Sequence, residues 1–166
     1  MEVYTLETGS VIVVFTISVL FGLFFGLLFA WTIFKKEYSK NKDYCKKIKS
    51  YYDLINYWLM CKQKKRNLIT FLTKKGYKTI AIYGGAELGE RLVDELLDTE
   101  IIVKCIIDRR KISQKKVPVI SVNDYVPEVD VIVITAVHYF SEIAEQLRKK
   151  YTCDIVSLED VIYAEF

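Results

Sequence analysis

The 166 residues carry a net charge of +3, and their number fits one modest domain. A single histidine and four dispersed cysteines without a CxxC exclude the usual zinc spacings, so no metal is expected. The charge is polarised: residues 35–78 hold fourteen Lys/Arg against three acids and residues 79–166 ten against sixteen, and an acidic folded half argues against nucleic acid as a partner.

Residues 1–10 form a short leader containing Glu2 and Glu7, and residues 11–34 are uncharged and rich in Val, Ile, Leu and Phe. A helix over 11–34 spans roughly 36 Å, enough for a hydrocarbon core of about 30 Å. A cleaved signal peptide would want a basic leader, whereas here the lysines follow the run at Lys35 and Lys36. The positive-inside rule then predicts a single-pass cell-membrane protein with residues 1–10 outside and the rest in the cytoplasm. Ser18, Gly22, Gly26 and Ala30 recur every four residues on one helix face, a pattern that lets a second helix approach closely. The partner predicted for that face is another copy of the chain or a different membrane protein.

Residues 35–66 are rich in Lys and Tyr and contain neither Pro nor Gly. Ile48, Tyr51, Tyr52, Ile55 and Leu59 fall at helical spacing and predict an amphipathic connector helix. Its lysines suit the anionic surface of the membrane. Tyr38 and Lys42 match a Tyr-x-x-x-Lys pair but abut the span, well before any strand. A short helix over 68–72 closes at Gly76.

Residues 67–166 alternate strand and helix. Strands are predicted at 79–83, 101–107, 117–121, 129–136 and 155–157. Helices are predicted at 87–97 and 140–150, with helical turns at 123–125 and 159–163. Near-continuous apolar strands mean a parallel sheet covered on both faces. The expected fold class is α/β, a doubly wound sheet of order 3-2-1-4-5, preceded by the transmembrane and connector helices. Cys105 and Cys153 sit in strand contexts as small core residues, reduced in a cytoplasmic setting.

Right-handed crossovers bring the strand ends to one edge, where open α/β sheets bind ligands. Gly84, Gly85, Ala86, Glu87, Leu88 and Gly89 match a dinucleotide turn in its first and third glycines, with Ala86 in place of the middle one. Asp108 ends the second strand where such folds place the acid that takes ribose hydroxyls. Arg109 and Arg110 follow it, suited to a phosphate or a ribose 2′-phosphate, and the segment to Lys111 lies at the same edge. Ala136 and His138 follow the fourth strand at the same edge. Glu87 and Glu90 suit the helix dipole but would repel an anion they faced. No catalytic set assembles from these residues; His138 or Tyr139 is the available proton donor.

Three segments carry a resemblance: Ile80-Ala-Ile-Tyr-Gly-Gly-Ala-Glu-Leu-Gly89, Ile106-Ile-Asp108 and Val129-Asp-Val-Ile-Val-Ile134. They resemble the small Rossmann-like nucleotide-binding domains of bacterial surface-polysaccharide biosynthesis, as in CapD-type dehydratases and sugar-transferase accessory domains. The resemblance covers roughly residues 67–163 and lacks the catalytic modules of those proteins. It implies a membrane-anchored module that binds a nucleotide or nucleotide-sugar and serves polysaccharide assembly without catalysis. NAD(P)-dependent oxidation, or modification of a sugar nucleotide, is the first alternative. A scaffold without a small-molecule ligand is the second, with a sensor domain resembling the RCK type as a variant.

Overall fold

The computed structural model of the chain describes residues 2–66, 68–109 and 116–164, with side chains from residue 11 onward. Two compact units result, Met1–Ser50 and Tyr51–Phe166. Helix α1, Glu2–Gln63, contributes to both. Between Gly26 and Gly76 the sequence has no Gly or Pro, so nothing ends the helix at residue 34. In the first unit the large apolar side chains from Val11 to Phe34 are all exposed, on a helix long and apolar enough to cross a membrane. Ser18 bonds back to the Val14 carbonyl at 2.9 Å, and a Cβ added at Gly22 or Gly26 meets nothing within 4 Å. With Ala30 exposed as well, the small-residue stripe is an open face.

The second unit begins with the last turns of α1. The expected apolar face is corrected here. Leu54, Trp58 and Cys61 are buried and Tyr51 and Tyr57 half-buried, whereas Tyr52, Ile55 and Leu59 are exposed. Ile48, in the first unit, is exposed too. These last turns carry two neighbouring apolar stripes at helical spacing, and polar chemistry chooses between them. The Trp58 indole N–H donates to Glu95 at 3.3 Å and Lys62 pairs with the same carboxylate oxygen at 2.8 Å. Helix α2, Ile69–Lys74, closes as expected. Gly76 (φ +80°) and Tyr77 donate to the carbonyls of Thr73 and Leu72 at 2.9 and 3.0 Å, a Schellman ending.

Five strands follow: β1 Thr79–Tyr83, β2 Ile102–Ile107, β3 Val119–Ile120, β4 Val131–Ile134 and β5 Asp154–Ser157. They form one parallel sheet of order β3-β2-β1-β4-β5, as predicted. Helix α3, Glu87–Leu96, links β1 to β2; α4, Phe140–Arg148, links β4 to β5; α5, Leu158–Tyr163, closes the described chain behind a Ser157 capping box. Alternate residues feed two cores. Ile80, Ile82, Val131 and Val133 pack with α1, α2, α3 and α5. Ala81, Tyr83, Ile132 and Ile134 pack with Ile143, Ala144 and Leu147 of α4. In β2, pairing skips from Val103 to Cys105, so Lys104 is a bulge residue. The bulge puts Cys105 in the second core and Ile106 in the first. Burial pushes the Cys105 thiol up to about 11.

Two expected segments are shorter or different. β3 pairs over only two residues, since Pro118 has no N–H to give a ladder. The helical turn expected at 123–125 is instead a tight turn. Asp124 donates its N–H to the Ser121 carbonyl at 2.9 Å, and its carboxylate accepts the Ser121 N–H at 3.0 Å. Pro127 stops any helix from continuing.

The edge where the strands begin is tied by side chains. Asp130 Oδ2 accepts the N–H groups of Lys78 and Thr79 at 2.8 and 2.7 Å and the Thr79 hydroxyl at 3.0 Å. Those bonds hold the Asp130 carboxyl below its ordinary range. Tyr77 donates its hydroxyl to Asp154, and burial with that bond pushes the phenol up to about 12.

Candidate functional site: a cleft at the strand ends

The opposite edge carries the candidate site. Beyond β1 the chain must turn sharply into α3, and Gly84 takes φ +104° to do so, a conformation that side chains oppose. A Cβ on Gly84 would lie 2.5 Å from Thr135 Oγ1. Thr135 is buried, and its Oγ1 lies 3.1 and 3.0 Å from the carbonyl oxygens of Tyr83 and Gly84, which compete for its one hydroxyl hydrogen. Gly89 lies against the same turn from inside α3, where a Cβ would overlap the Gly84 carbonyl oxygen. The three residues pack strand, turn and helix at a separation that only glycine and a small polar group permit.

Asp108 completes the turn. Its Oδ2 accepts the Gly85 N–H at 2.7 Å across 23 residues of sequence. A Cβ on Gly85 would sit 3.2 Å from that oxygen and 3.1 Å from Ile106 Cγ2. The carboxylate therefore seats directly on the turn backbone. Ala86 is the N-cap of α3 and supplies no side-chain cap.

A cleft of about 470 Å³ opens beside this turn. Tyr83, Ile107, Ala136 and Ile143 give its apolar lining, and Asp108, Arg109, Tyr139, Glu142 and Gln146 its polar groups. Arg109 and Glu142 are exposed. Gln146 follows Glu142 by one turn of α4, so the two share the helix face that also presents Ile143.

The expected site residues are thus divided. Gly84, Ala86, Asp108, Arg109 and Ala136 line the cleft, and Gly85 holds its backbone through Asp108. Gly89 is buried beneath the turn. Glu87 and Leu88 line a separate groove with Ile55, Leu59 and Arg91, because the first turn of α3 points them away from the strand ends. His138 is not among the lining residues. It lies in a single 3-10 turn, Val137–Tyr139, and its ring meets Tyr51 edge-on with centroids 4.5 Å apart, while Tyr139 reaches the cleft. Arg110 and Lys111 lie outside the described residues. Sequence reasoning missed Thr135, Ile143 and Gln146; the only signal for Thr135 is one hydroxyl ending the apolar run of β4. Among the described residues no group of three His, Cys, Asp or Glu side chains is arranged to hold a metal.

The chain matches no protein-family model, no curated protein and no solved structure.

Proposed function

We propose that the chain is a membrane-anchored module whose cleft binds a nucleotide or nucleotide-sugar, and that it acts as a non-catalytic accessory or regulator. The observation that carries this is the position of the cleft. The strand order reverses between β1 and β4, and the cleft opens at the ends of those strands, with the glycine turn on one side and Arg109 on its rim. Open α/β sheets bind ligands at such a reversal. Its volume lies within the usual range of about 300–1,000 Å³ for small-molecule sites. The assignment as a doubly wound, Rossmann-like sheet belongs to the same reading. It is supported by α3 and α4 lying in cores on opposite faces, as right-handed crossovers in opposite directions require. The tie to polysaccharide assembly rests on the resemblance of residues 80–89, 106–108 and 129–134 alone.

Full-length protein in lipid nanodiscs, titrated calorimetrically with UDP, UDP-glucose, NAD, NADP and ATP, tests the reading. Binding by at least one of them, weakened about tenfold in Arg109→Ala by loss of a charge-assisted phosphate contact, is expected. Silence toward all five at millimolar concentration would sink it. One observation favours the scaffold reading instead: Asp108 is already engaged by the Gly85 N–H.

In the proposed topology residues 35–166 face the cytoplasm. Cys45 is exposed, so a membrane-impermeant maleimide should label it only after cells are permeabilised. Labelling of intact cells would reverse the orientation.

A further inference from the structure

On the reading that the cleft binds a nucleotide, we propose that Glu142, with Gln146, reads the sugar hydroxyls of the ligand, and that Asp108 is a positioning residue for the glycine turn. Two carboxylates line the cleft, and they are differently committed. Asp108 spends Oδ2 on the Gly85 N–H at 2.7 Å and lies so close to the turn that a Cβ on Gly85 would sit 3.2 Å from that oxygen. A sugar hydroxyl that donated to this oxygen would compete with the bond that holds the turn. Glu142 is exposed at the rim and makes no hydrogen bond or ion pair among the described residues. Gln146 stands one turn further along the same face. A carboxylate accepts only, and an amide both donates and accepts. Side by side on one helix face, the two match a vicinal diol, whose hydroxyls each donate and accept.

Placement gives the ligand a direction. Arg109 follows β2 and α4 follows β4, and these strands flank β1 on its two sides. Arg109 is exposed and unpaired among the described residues, so it takes the phosphate. The sugar then lies towards α4, over the apolar lining of Tyr83, Ala136 and Ile143. The diol belongs either to the ribose or to the hexose of a nucleotide-sugar, and the chemistry recognised is the same.

The test uses the full-length protein in nanodiscs and two ligand pairs. UDP against 2′-deoxy-UDP isolates the ribose diol; UDP-glucose against UDP isolates the hexose. The wild type should prefer the member that carries the diol being read, UDP over 2′-deoxy-UDP or UDP-glucose over UDP, by about tenfold, the order of one hydrogen bond to a charged group. Glu142→Ala should erase that preference and Glu142→Gln, which keeps an acceptor, should retain part of it. Asp108→Ala should weaken both members of the pair alike and leave their ratio unchanged. A preference that survives Glu142→Ala, or one that Asp108→Ala abolishes, would overturn the assignment, as would a wild type indifferent within both pairs. Absence of binding by every probe would instead remove the nucleotide reading, and this inference with it.

Discussion

The two edges of the sheet use the same device for different ends. Where the strands begin, Asp130 gathers two backbone N–H groups and a hydroxyl on one oxygen. Where they end, Asp108 takes the N–H of Gly85 on Oδ2. Asp130 satisfies donors at the start of β1 that the ladder leaves open, and it lines neither the strand-end cleft nor the groove beside α3. Asp108 holds a turn that has left the sheet altogether, and a cleft opens next to it. An aspartate bonded to backbone is therefore not a mark of a binding site. What distinguishes the second edge is the glycine geometry around the aspartate and the exposed Arg109 and Glu142 at the rim of the cleft.

The sharpest way to break the comparison is to remove that geometry. Gly89→Ala puts a methyl group into the Gly84 carbonyl oxygen, and neither α3 nor β1 can retreat without opening the first core. The expected loss is about 3 kcal/mol, at the upper end for overpacking. Chemical denaturation of detergent-solubilised protein, followed by Trp58 fluorescence in a Trp31→Phe background, measures it. A loss below about 1 kcal/mol would mean that the turn yields easily and is not a rigid wall of the cleft.

Asp108→Ala comes next. It removes the bond of the buried Gly85 N–H to a charged group, so a loss of about 2 kcal/mol is expected in the same assay. Asp108→Asn keeps a carbonyl oxygen for that N–H and should recover about half of the loss. If the two variants are equally unstable, the charge of Asp108, rather than its hold on Gly85, is what the turn needs.

How much of this was legible beforehand follows from what each element depends on. β1 and β4 are short unbroken apolar runs, and burial on both faces leaves such runs little choice. The strand order follows from handedness rules, and Gly84 and Gly89 declared themselves because the turn requires them. The packing face of α1 was illegible. Leu54, Trp58 and Cys61 compete with Ile55 and Leu59 on apolar grounds, and only the position of Glu95 decides. The α4 side of the cleft was hidden for another reason. Glu142 and Gln146 are exposed polar residues of an amphipathic helix, and sequence alone cannot separate such residues at a cleft rim from those that merely face water. His138 shows the limit of chain position. It follows β4 at the right edge, yet one turn of 3-10 helix sends it to Tyr51.

At the other edge the expected effects are smaller, because water reaches the groups and replaces lost bonds. Asp130 titrates below its ordinary range in the folded chain. Its contribution is therefore present above the unfolded carboxylate pKa and is lost as pH falls through the lower folded value. Asp130→Ala should be less stable than the wild type at pH 7, and the gap should close on acidification below about pH 4. A gap independent of pH would show that Thr79 and Lys78 find other acceptors and that Asp130 acts through packing.

The Tyr77 bond to Asp154 carries the opposite sign. Its phenol is raised to about 12 by burial and by that bond, so the neutral hydroxyl favours the fold fully below the unfolded phenol pKa of about 10, and that contribution is lost as pH climbs through the folded value. The pair is exposed, and screening keeps its worth under about 1 kcal/mol. Tyr77→Phe should therefore cost little at pH 7, and the difference from wild type should shrink as pH rises from 10 towards 12. Ultraviolet titration of the tyrosinates gives an independent reading, since the wild type should show one more late-titrating phenol than the variant. If the two titrations superimpose, the hydroxyl of Tyr77 is solvated, and Asp130 alone ties the edge where the strands begin.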